Sequence, residues 1–307
     1  MISLVVRRLL WGIPVLWLIL TLTFFLLRAA PGGPFDQERQ LSPQVEQLIN
    51  SKYRLDQPLS EQYLSYLSDL LQGDLGPSFQ YADFTVNELI SLGLPVSLEL
   101  GFYALLLALL LGVGLGLVAA AQANRWPDLV AMLVAVIGIS TPNFVIAPLL
   151  ILGLSVHAGW LPVGGWGDGQ WQHLILPVLT LSLPFIAAVA RITRSAVLEV
   201  MSQPFIQTAR AKGLSASHVL FKHGLRPAML PVVSYLGPAA VGLMTGSVVI
   251  EQIFGLPGMG RYFVQGALNR DYTLVLGVVL VIGLMMLLFN LLVDLLYRLI
   301  DPRVASR

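Results

Sequence analysis

The sequence predicts an all-α, polytopic membrane protein with six transmembrane helices. Of its 307 residues, 56% are hydrophobic and only 11% are charged, whereas a soluble globular domain carries about 25% charged residues. A helix needs about 20 mostly apolar residues to cross about 30 Å of hydrocarbon. Six stretches are apolar and close to that length: 9–27, 100–124, 129–155, 174–190, 227–250 and 273–293. Lipid must therefore surround much of the chain.

The first apolar stretch has an alternative interpretation as a cleaved signal peptide. Its core, residues 9–27, is longer than the usual apolar region of such a peptide, which has about 7–15 residues. The proline that follows two alanines at its end also makes a poor cleavage site. We therefore interpret residues 1–8 as a cytoplasmic N-terminus and residues 9–30 as the first span.

The basic residues predict the orientation. If the N-terminus lies in the cytoplasm, the cytoplasmic segments make up the smaller share of the total loop length and yet carry 12 of the 18 Lys and Arg residues. These are Arg7, Arg8, Arg125, Arg191, Arg194, Arg210, Lys212, Lys222, Arg226, Arg298, Arg303 and Arg307. The positive-inside rule therefore predicts a multi-pass protein of the inner (plasma) membrane with both termini in the cytoplasm.

Residues 31–97 are predicted to form an extracytoplasmic helical cap. Within them, residues 43–71 place leucines and tyrosines at helical spacing among polar side chains, which favours one or two amphipathic helices. An unstructured acidic linker is the alternative, but the leucine and aromatic content argues against disorder. Residues 98–307 then form a core with five further spans.

Residues 191–228 are predicted to form a cytoplasmic loop that contains a short helix. Pro204 suits the first turn of that helix, with Ser202 as its N-cap. Gly213 would end the helix in a left-handed turn.

A second short helix in the same loop would begin after Ser215 or Ser217 and stop before Pro227. Two short helices joined at a glycine would make a compact cytoplasmic knob. On charge alone, the alternative is that the six basic residues of this loop are only the positive-inside bias that any multi-span protein carries.

Motifs that bind nucleotides or perform catalysis do not occur in the sequence. There is no G-x-x-x-x-G-K-[ST] loop for ATP phosphates, no H-E-x-x-H and no G-x-S-x-G. The chain has no cysteine and four scattered histidines, and its net charge of +1 does not indicate nucleic acid as a partner. We therefore predict a non-catalytic chain with no metal site and no cofactor of its own.

Glycines within the spans indicate close helix packing. Gly112-Val-Gly114-Leu-Gly116 lies inside an apolar stretch and does not follow a strand, which argues against a dinucleotide site. Small residues at such spacing let two helix backbones approach, and Gly242 and Gly246 have the G-x-x-x-G spacing.

Acidic residues lie near the ends of three predicted spans: Glu99, Glu251 and Asp294. Snorkelling of these carboxylates to the membrane surface is the simplest interpretation. A functional alternative exists for Glu251, because a segment rich in glycine and proline follows it. We predict that Glu251, Pro257, Gly258 and Gly260 contribute to an outer gate or pathway.

The loop also resembles that of a known family. Its segment Gln207-Thr208-Ala209-Arg210-Ala211-Lys212-Gly213-Leu214 is similar to the EAA loop of ABC importer permeases, in the form found in the peptide branch. In that family the loop is a coupling helix that docks into a groove on a separate ATPase subunit. The resemblance assigns the last small residue of the EAA triplet to Ala209 and the loop glycine to Gly213. The sequence departs from the general pattern at Gln207 and Thr208, which replace Glu and Ala, and at residues 225–226, where many families have Leu-Pro.

Further motifs similar to this family cover nearly the whole chain. They are Arg7-Arg8-Leu9, Ala30-Pro31-Gly32-Gly33-Pro34, residues 53–63, Gly73-Asp74-Leu75-Gly76-Pro77-Ser78-Phe79, residues 253–260, Leu268-Asn269-Arg270-Asp271-Tyr272 and Ile300-Asp301-Pro302-Arg303. The G-P-S-F and L-N-R-D-Y forms are most similar to those of the B-type permeases of oligopeptide uptake systems.

The resemblance implies the permease core of a type I ABC importer that moves oligopeptides. The implied partners are a homologous second permease, two ATPase subunits that bind ATP and Mg, an extracytoplasmic peptide-binding protein, the peptide and membrane lipid. Importers of dipeptides, nickel chelates, glutathione and murein peptides share this scaffold and are alternatives. A secondary transporter or a membrane scaffold are alternatives of another class. A secondary transporter would need an ion site at the bilayer midplane, and no acidic residue is predicted there.

Overall fold

Helices account for almost all of the described chain. The computed structural model describes residues 2–30, 33, 48, 51–81, 83–244 and 248–300. Its helices include α1 Ile2–Ala29, α2 Leu59–Leu71, α3 Val86–Ala121, α4 Trp126–Ser140, α5 Asn143–Leu150, α6 Trp171–Met201, α7 Pro204–Ala211, α8 Ala216–His218, α9 Leu225–Met244, α10 Val248–Phe254, α11 Met259–Leu268 and α12 Tyr272–Ile300. Two π-helical stretches, Ile151–His157 and Val219–Gly224, follow α5 and α8, and Gly167–Gly169 is a 3₁₀ turn.

Five helices in the described ranges are long and apolar enough to cross a membrane. They are Val5–Ala29, Val86–Ala121, Trp171–Met201, Ala216–Met244 and Tyr272–Leu296. The pair Trp126–Ser140 and Asn143–His157 makes a sixth span if it is counted as one broken span. The predicted all-α class with six spans is confirmed in these terms.

The third predicted span is broken in the middle. A single helix was expected over residues 129–155, but α4 ends at Ser140 and the helix that starts at Asn143 is bent from it by 106°. Pro142 explains the break, because the residue before a proline is driven out of the α region. Thr141 accordingly has an extended ψ of 120°. The continuous span is therefore corrected to two helices.

The boundaries of three further spans also differ from the prediction. The second was expected over residues 100–124, but its helix runs from Val86 to Ala121. The fourth stretch, predicted to end at residue 190, continues as α6 to Met201, so the first part of the predicted loop is helical. The fifth span was expected over residues 227–250, but one helix runs from Ala216 to Met244 and α10 is separate. Residues 245–247, with Gly246 of the predicted G-x-x-x-G pair, lie outside the described ranges.

Pro227 does not stop the second helix of the loop, contrary to prediction. Proline lacks an N–H group and its ring clashes with the carbonyl four residues earlier in an α-helix. Here the wider π-helical stretch Val219–Gly224 comes directly before α9. A π-turn shifts the hydrogen bonds by one residue. The helix continues past Pro227, as it also does past Pro231 and Pro238 farther along.

The described chain divides into two compact units, which we call the first and the second unit. The first unit combines Met1–Val96 with Pro257–Leu284, and the second combines Ser97–Leu256 with Met285–Arg307. The buried core of the first unit consists of Leu75, Val86, Leu89, Ile90, Met259, Tyr262, Leu274 and Val278. The main core of the second unit includes Leu100, Leu176, Leu181, Leu243, Ile250, Phe254 and Leu256.

Helix α2 belongs to the first unit and confirms part of the amphipathic pattern predicted over residues 43–71. Residues 43–47, 49 and 50 lie outside the described chain. The hydroxyl of Tyr63 on α2 lies 2.6 Å from that of Thr21 on α1. Tyr63 also packs edge-to-face on Phe24, with ring centroids 5.2 Å apart. These contacts attach α2 to α1.

In the second unit, α3 packs closely on α6 through two of its three predicted glycines. A Cβ atom on Gly112 would lie 2.7 Å from Val189 Cβ, and one on Gly116 would lie 2.6 Å from the Ala190 carbonyl oxygen. Real Cβ atoms do not approach so closely, so only glycine permits this contact. A Cβ on Gly114 would meet no atom within 4 Å, and one on Gly242 would make only an ordinary contact with Phe185 at 3.8 Å. Close packing is thus confirmed at Gly112 and Gly116.

Candidate functional site

The candidate site is the short helix α7 and the turn that follows it. Pro204 occupies the first turn of α7, as predicted. The predicted N-cap is wrong, because Gln203 holds that position and the Ser202 hydroxyl donates to the Glu199 carbonyl at 2.7 Å. Ser202 therefore ends α6, and only two residues join α6 to α7. The Gln203 amide donates to the Val200 carbonyl at 3.0 Å, which keeps this joint tight.

An apolar cluster anchors α7 to the second unit. Ile206 and Val219 have no exposed surface, Ala209 is 8% exposed, and Val200 and Met201 of α6 pack against them. Burying these side chains contributes about 25 cal/mol per Å² of apolar surface. Ala209 therefore faces inward, towards the end of α6 and Val219. This inward position explains why a small residue suits it, independently of any partner.

The outer face of α7 and its turn is polar, basic and exposed. The predicted coupling residues on this face are Gln207, Thr208, Arg210, Ala211, Lys212, Gly213 and Leu214. Phe205 adds an apolar side chain that is 49% exposed. Of these exposed side chains, Phe205 and Arg210 are of the types enriched at protein interfaces.

Gly213 ends α7 as predicted. Its φ is +80°, a left-handed conformation that favours glycine, and a Cβ there would meet no described atom within 4 Å. Ser215 caps the next helix, since its hydroxyl accepts a hydrogen bond from the His218 amide at 3.4 Å. Of the two predicted caps, Ser215 is thus the one used.

Glu251 is buried and does not snorkel to the membrane surface. Its side chain is 0% exposed, and the Ser97 hydroxyl donates to its Oε1 at 2.7 Å. Both residues belong to the second unit. A buried carboxylate is expensive unless it is hydrogen-bonded, and this contact helps to offset the cost.

The other three residues of the predicted gate belong to the first unit. Gly258 is the N-cap residue of α11 and is buried, as is Gly260 in the first turn of that helix. Pro257 precedes them and is half-buried. Gly93, in the same unit, would place a Cβ only 3.0 Å from the Met259 amide nitrogen, so α3 and α11 touch closely there.

Sequence reasoning missed an ion pair between α4 and α6. Arg194 Nε lies 2.5 Å from Asp128 Oδ1, and Arg194 Nη2 lies 2.6 Å from Asp128 Oδ2. The carboxylate is 2% exposed and also accepts the Asn124 amide at 2.8 Å. A bidentate Arg–carboxylate pair is strong and directional. The available signal was an acid in the first turn of an apolar helix, where the helix dipole favours it.

The role of Asp271 was also missed, because this residue was recognised in the sequence only as part of a family motif. Its carboxylate is 0% exposed and accepts hydrogen bonds from five groups of the first unit. The donors are the hydroxyls of Ser78 and Thr273 and the amides of Phe79, Gln80 and Leu274. Asp271 thus caps α12 and holds the turn at residues 76–80 with the same side chain.

In the residues that the structure covers, no three His, Asp or Glu side chains are grouped so that they could hold a metal ion. The described residues instead provide a short exposed helix, closely packed spans and buried polar contacts.

Two family models match the sequence. The model described as "Binding-protein-dependent transport system inner membrane component" matches residues 112–306. The corresponding N-terminal model of membrane components matches residues 1–101. Together they cover almost the whole chain.

Curated relatives agree with the family models. The chain is 50% identical over 305 residues to the oligopeptide transport system permease protein OppB of Haemophilus influenzae, covering 99% of each chain. It is also 50% identical to the OppB protein of Salmonella typhimurium, again over 99% of both. The dipeptide transport system permease protein DppB of Bacillus subtilis is 42% identical over 93% of this chain and 92% of its own.

Solved structures match the fold. A chain of the MetNI methionine ABC transporter, in inward facing conformations, has a TM-score of 0.56 at 18% identity and covers 69% of this chain and 96% of its own. A chain of an amino acid ABC transporter has a TM-score of 0.55 at 22% identity and covers 69% of this chain and 94% of its own. The family models and the full-length relatives together show that this multi-pass membrane protein belongs to the family of binding-protein-dependent transport system inner membrane components.

Proposed function

We propose that the chain is a permease subunit of an ABC importer that moves oligopeptides across the inner membrane. The observation that carries the proposal is the exposed helix α7, which is held by the buried Ile206 on a joint of only two residues after α6. A helix attached so tightly can pass the movement of a bound partner into a span. The 50% identity to permeases named for oligopeptide transport supports the choice of cargo.

The partner at α7 would be a separate ATPase subunit. Phe205, Thr208 and Lys212 follow one another at helical spacing and are all exposed, so they form one contact face. ATP and Mg would be bound by two such ATPase subunits, and this chain would contribute no cofactor site. ATP can drive the cycle only if it binds one arrangement of the assembly more tightly than the other.

The orientation would place both termini and α7 in the cytoplasm. The bias of basic residues supports it. Exposed tryptophans mark the levels of the two membrane surfaces, both of which tryptophan favours, so they fit the span boundaries in either orientation. Trp11 and Trp126 would mark the cytoplasmic surface, and Trp160 and Trp171 the opposite one, with exposures of 67–75%.

Above the membrane, a peptide-binding protein would deliver cargo, and a homologous second permease would complete the path. Relatives named for dipeptide and glutathione transport are 42% and 40% identical, so these cargoes are the first alternatives to test. Glu251, Pro257, Gly258 and Gly260 are proposed to contribute to the outer gate.

The docking proposal is tested by co-purification of the ATPase subunits with a Gly213→Asp variant. The new side chain would stand in the docking surface and strain the left-handed turn by about 1 kcal/mol. We expect normal amounts of membrane protein, at least tenfold weaker ATPase capture, and loss of ATP-driven peptide uptake in reconstituted vesicles.

Gly73→Asp is the matched control. Gly73 has a φ of +79°, against +80° at Gly213, and a Cβ there also meets nothing within 4 Å. The control therefore carries the same charge and a similar backbone strain away from α7. A Gly213→Asp protein that captures ATPase as well as Gly73→Asp does would refute the docking surface. Uptake that follows an ion gradient without ATP would instead favour a secondary transporter.

A further inference from the structure

The first unit contains a cavity of about 230 Å³, lined in part by charged side chains, that the proposed function does not use. It lies among the last turn of α1, the helix α2, the turn at residues 76–79 and the first turns of α12. Three basic side chains line it: Arg28, Lys52 and Arg54. Two acidic side chains, Asp69 and Asp74, line it as well.

The two acids of the cavity already have partners. Arg54 Nη1 lies 3.5 Å from Asp69 Oδ2, so these two charges largely offset each other. Asp74 Oδ1 accepts the Gly76 amide at 2.9 Å and shapes the turn that forms one wall. The charge left over in the cavity is positive.

Arg28 supplies much of that positive charge. Its Nε donates to Gln62 Oε1 at 3.0 Å, and its guanidinium lies 3.6 Å from the centroid of the Phe24 ring. Throughout the described segments, no carboxylate forms a salt bridge with Arg28 or Lys52. A guanidinium covered by protein favours an anion beside it, because water no longer screens its charge.

Tyr66 adds a hydrogen-bond donor to the same cavity. Its hydroxyl oxygen is buried and has no hydrogen-bond partner in the described chain. Burial raises the pKa of Tyr66 to about 12, so the group keeps its proton and can donate. Buried tyrosine hydroxyls usually find a partner. An acceptor placed in the cavity would provide one.

The position of the cavity indicates where the anion comes from. Arg28 stands at the end of the span Val5–Ala29, and Thr273 and Leu276 stand at the start of the span Tyr272–Leu296. The cavity is therefore level with the end of two membrane helices, where lipid headgroups lie. Its volume is below the 300–1,000 Å³ or so of typical ligand sites, which suits a single anionic group.

We propose that this cavity binds the phosphate of a membrane phospholipid, with Arg28 and Lys52 as the cations and the Tyr66 hydroxyl as a donor. The acyl chains of the lipid would lie along the apolar surfaces of the two spans. The site concerns lipid in contact with the first unit and does not depend on the proposed transport function.

The test measures binding to the full-length, delipidated protein in detergent by native mass spectrometry. The probes are short-chain phosphatidylglycerol, inorganic phosphate and trialanine, each added separately. We expect one phosphatidylglycerol per chain, bound at least threefold more weakly by Tyr66→Phe and at least tenfold more weakly by Lys52→Gln. Tyr103→Phe is the matched control, because Tyr103 lies on α3 and does not line the cavity.

Neither main variant lies in a spanning helix, so both should insert normally. Phosphatidylglycerol that binds Tyr66→Phe and Lys52→Gln as tightly as it binds the unaltered protein would overturn the proposal. So would its failure to bind at all. Tighter binding of inorganic phosphate than of lipid would identify a free-anion site, and tighter binding of trialanine a peptide carboxylate site. Either result would overturn the lipid assignment.

Discussion

The Ser78 hydroxyl donates a hydrogen bond to the Asp271 carboxylate at 2.5 Å, although 193 residues separate the two in sequence. Both side chains are at most 1% exposed. The same carboxylate oxygen accepts the Phe79 and Gln80 amides at 3.0 and 3.1 Å. One buried charge thus joins the turn before α3 to the start of α12 within the first unit.

Replacing Asp271 by Asn should destabilise the first unit. The asparagine side chain lacks the negative charge that strengthens all five hydrogen bonds. Its NH₂ group, itself a donor, would face some of the O–H and N–H donors. Hydrogen bonds to a charged group contribute about 1.5–3 kcal/mol each, so we expect a loss of at least about 2 kcal/mol in the free energy of unfolding. Thermal unfolding in detergent measures it. Asp168→Asn is the control, because Asp168 is exposed and asparagine suits its φ of 53°. Equal midpoints for the two variants would contradict this role.

The ion pair between Asp128 and Arg194 should stabilise the contact of α4 with α6. The Arg194 side chain is 24% exposed while the Asp128 carboxylate is nearly covered, so removing one partner should cost the value of a hydrogen bond to a charged group, about 1.5–3 kcal/mol. We expect Arg194→Ala to lose that much, and Arg191→Ala, an exposed site on the same helix, to lose little. In a double-mutant cycle, Asp128→Asn combined with Arg194→Ala should cost clearly less than the sum of the two single changes. Simple additivity would show that the pair contributes no coupling.

The glycines of α3 provide a test of helix packing with an internal control. Gly116→Leu would drive a side chain into Ala190 and Thr193, where a Cβ already falls 2.6 Å from existing atoms. Overpacking typically costs about 1–3 kcal/mol. Gly114→Leu points into open space and should be tolerated. The amount of folded protein in membranes and its resistance to chemical unfolding measure the difference. If the two variants behaved alike, the side of α3 that carries Gly116 would not be the side that packs on α6.

Reporter fusions test the proposed orientation. A reporter joined at Ser60 in α2 should behave as extracytoplasmic, and one joined after Gly213 should behave as cytoplasmic. An enzyme active only outside the membrane and a fluorescent protein that folds only inside it provide the pair of measurements. The opposite pattern would reverse the orientation and place α7 where no ATPase can reach it.

The sequence predicted the fold class because membrane insertion depends on local composition. Each span needs its own apolar stretch, so the six stretches were visible without any knowledge of tertiary contacts. Local rules also predicted Pro204 at the start of α7, Gly213 at its end and Ser215 as one of two candidate caps for the next helix, since these roles depend on the backbone of neighbouring residues.

Local rules failed where the neighbouring turn changed the outcome. Ser202 was available as a cap for α7, but its hydroxyl bonds to the preceding turn of α6 instead. Pro227 was expected to stop a helix, but the helix continues past it after a π-helical stretch. The Ser202 hydroxyl had two possible partners along the chain, and composition does not select between them.

Only the tertiary structure decided which residues are buried and paired. Asp128 and Arg194 are 66 residues apart, and Ser97 and Glu251 are 154 apart, so no local pattern links them. Ala209 belongs to the predicted docking segment but packs inward, because α7 folds back so that this side faces Val219 and the end of α6. The apolar stretches determined that the chain enters the membrane. The contacts between them determined which charges could be buried there, since a buried charge is stable only beside a partner.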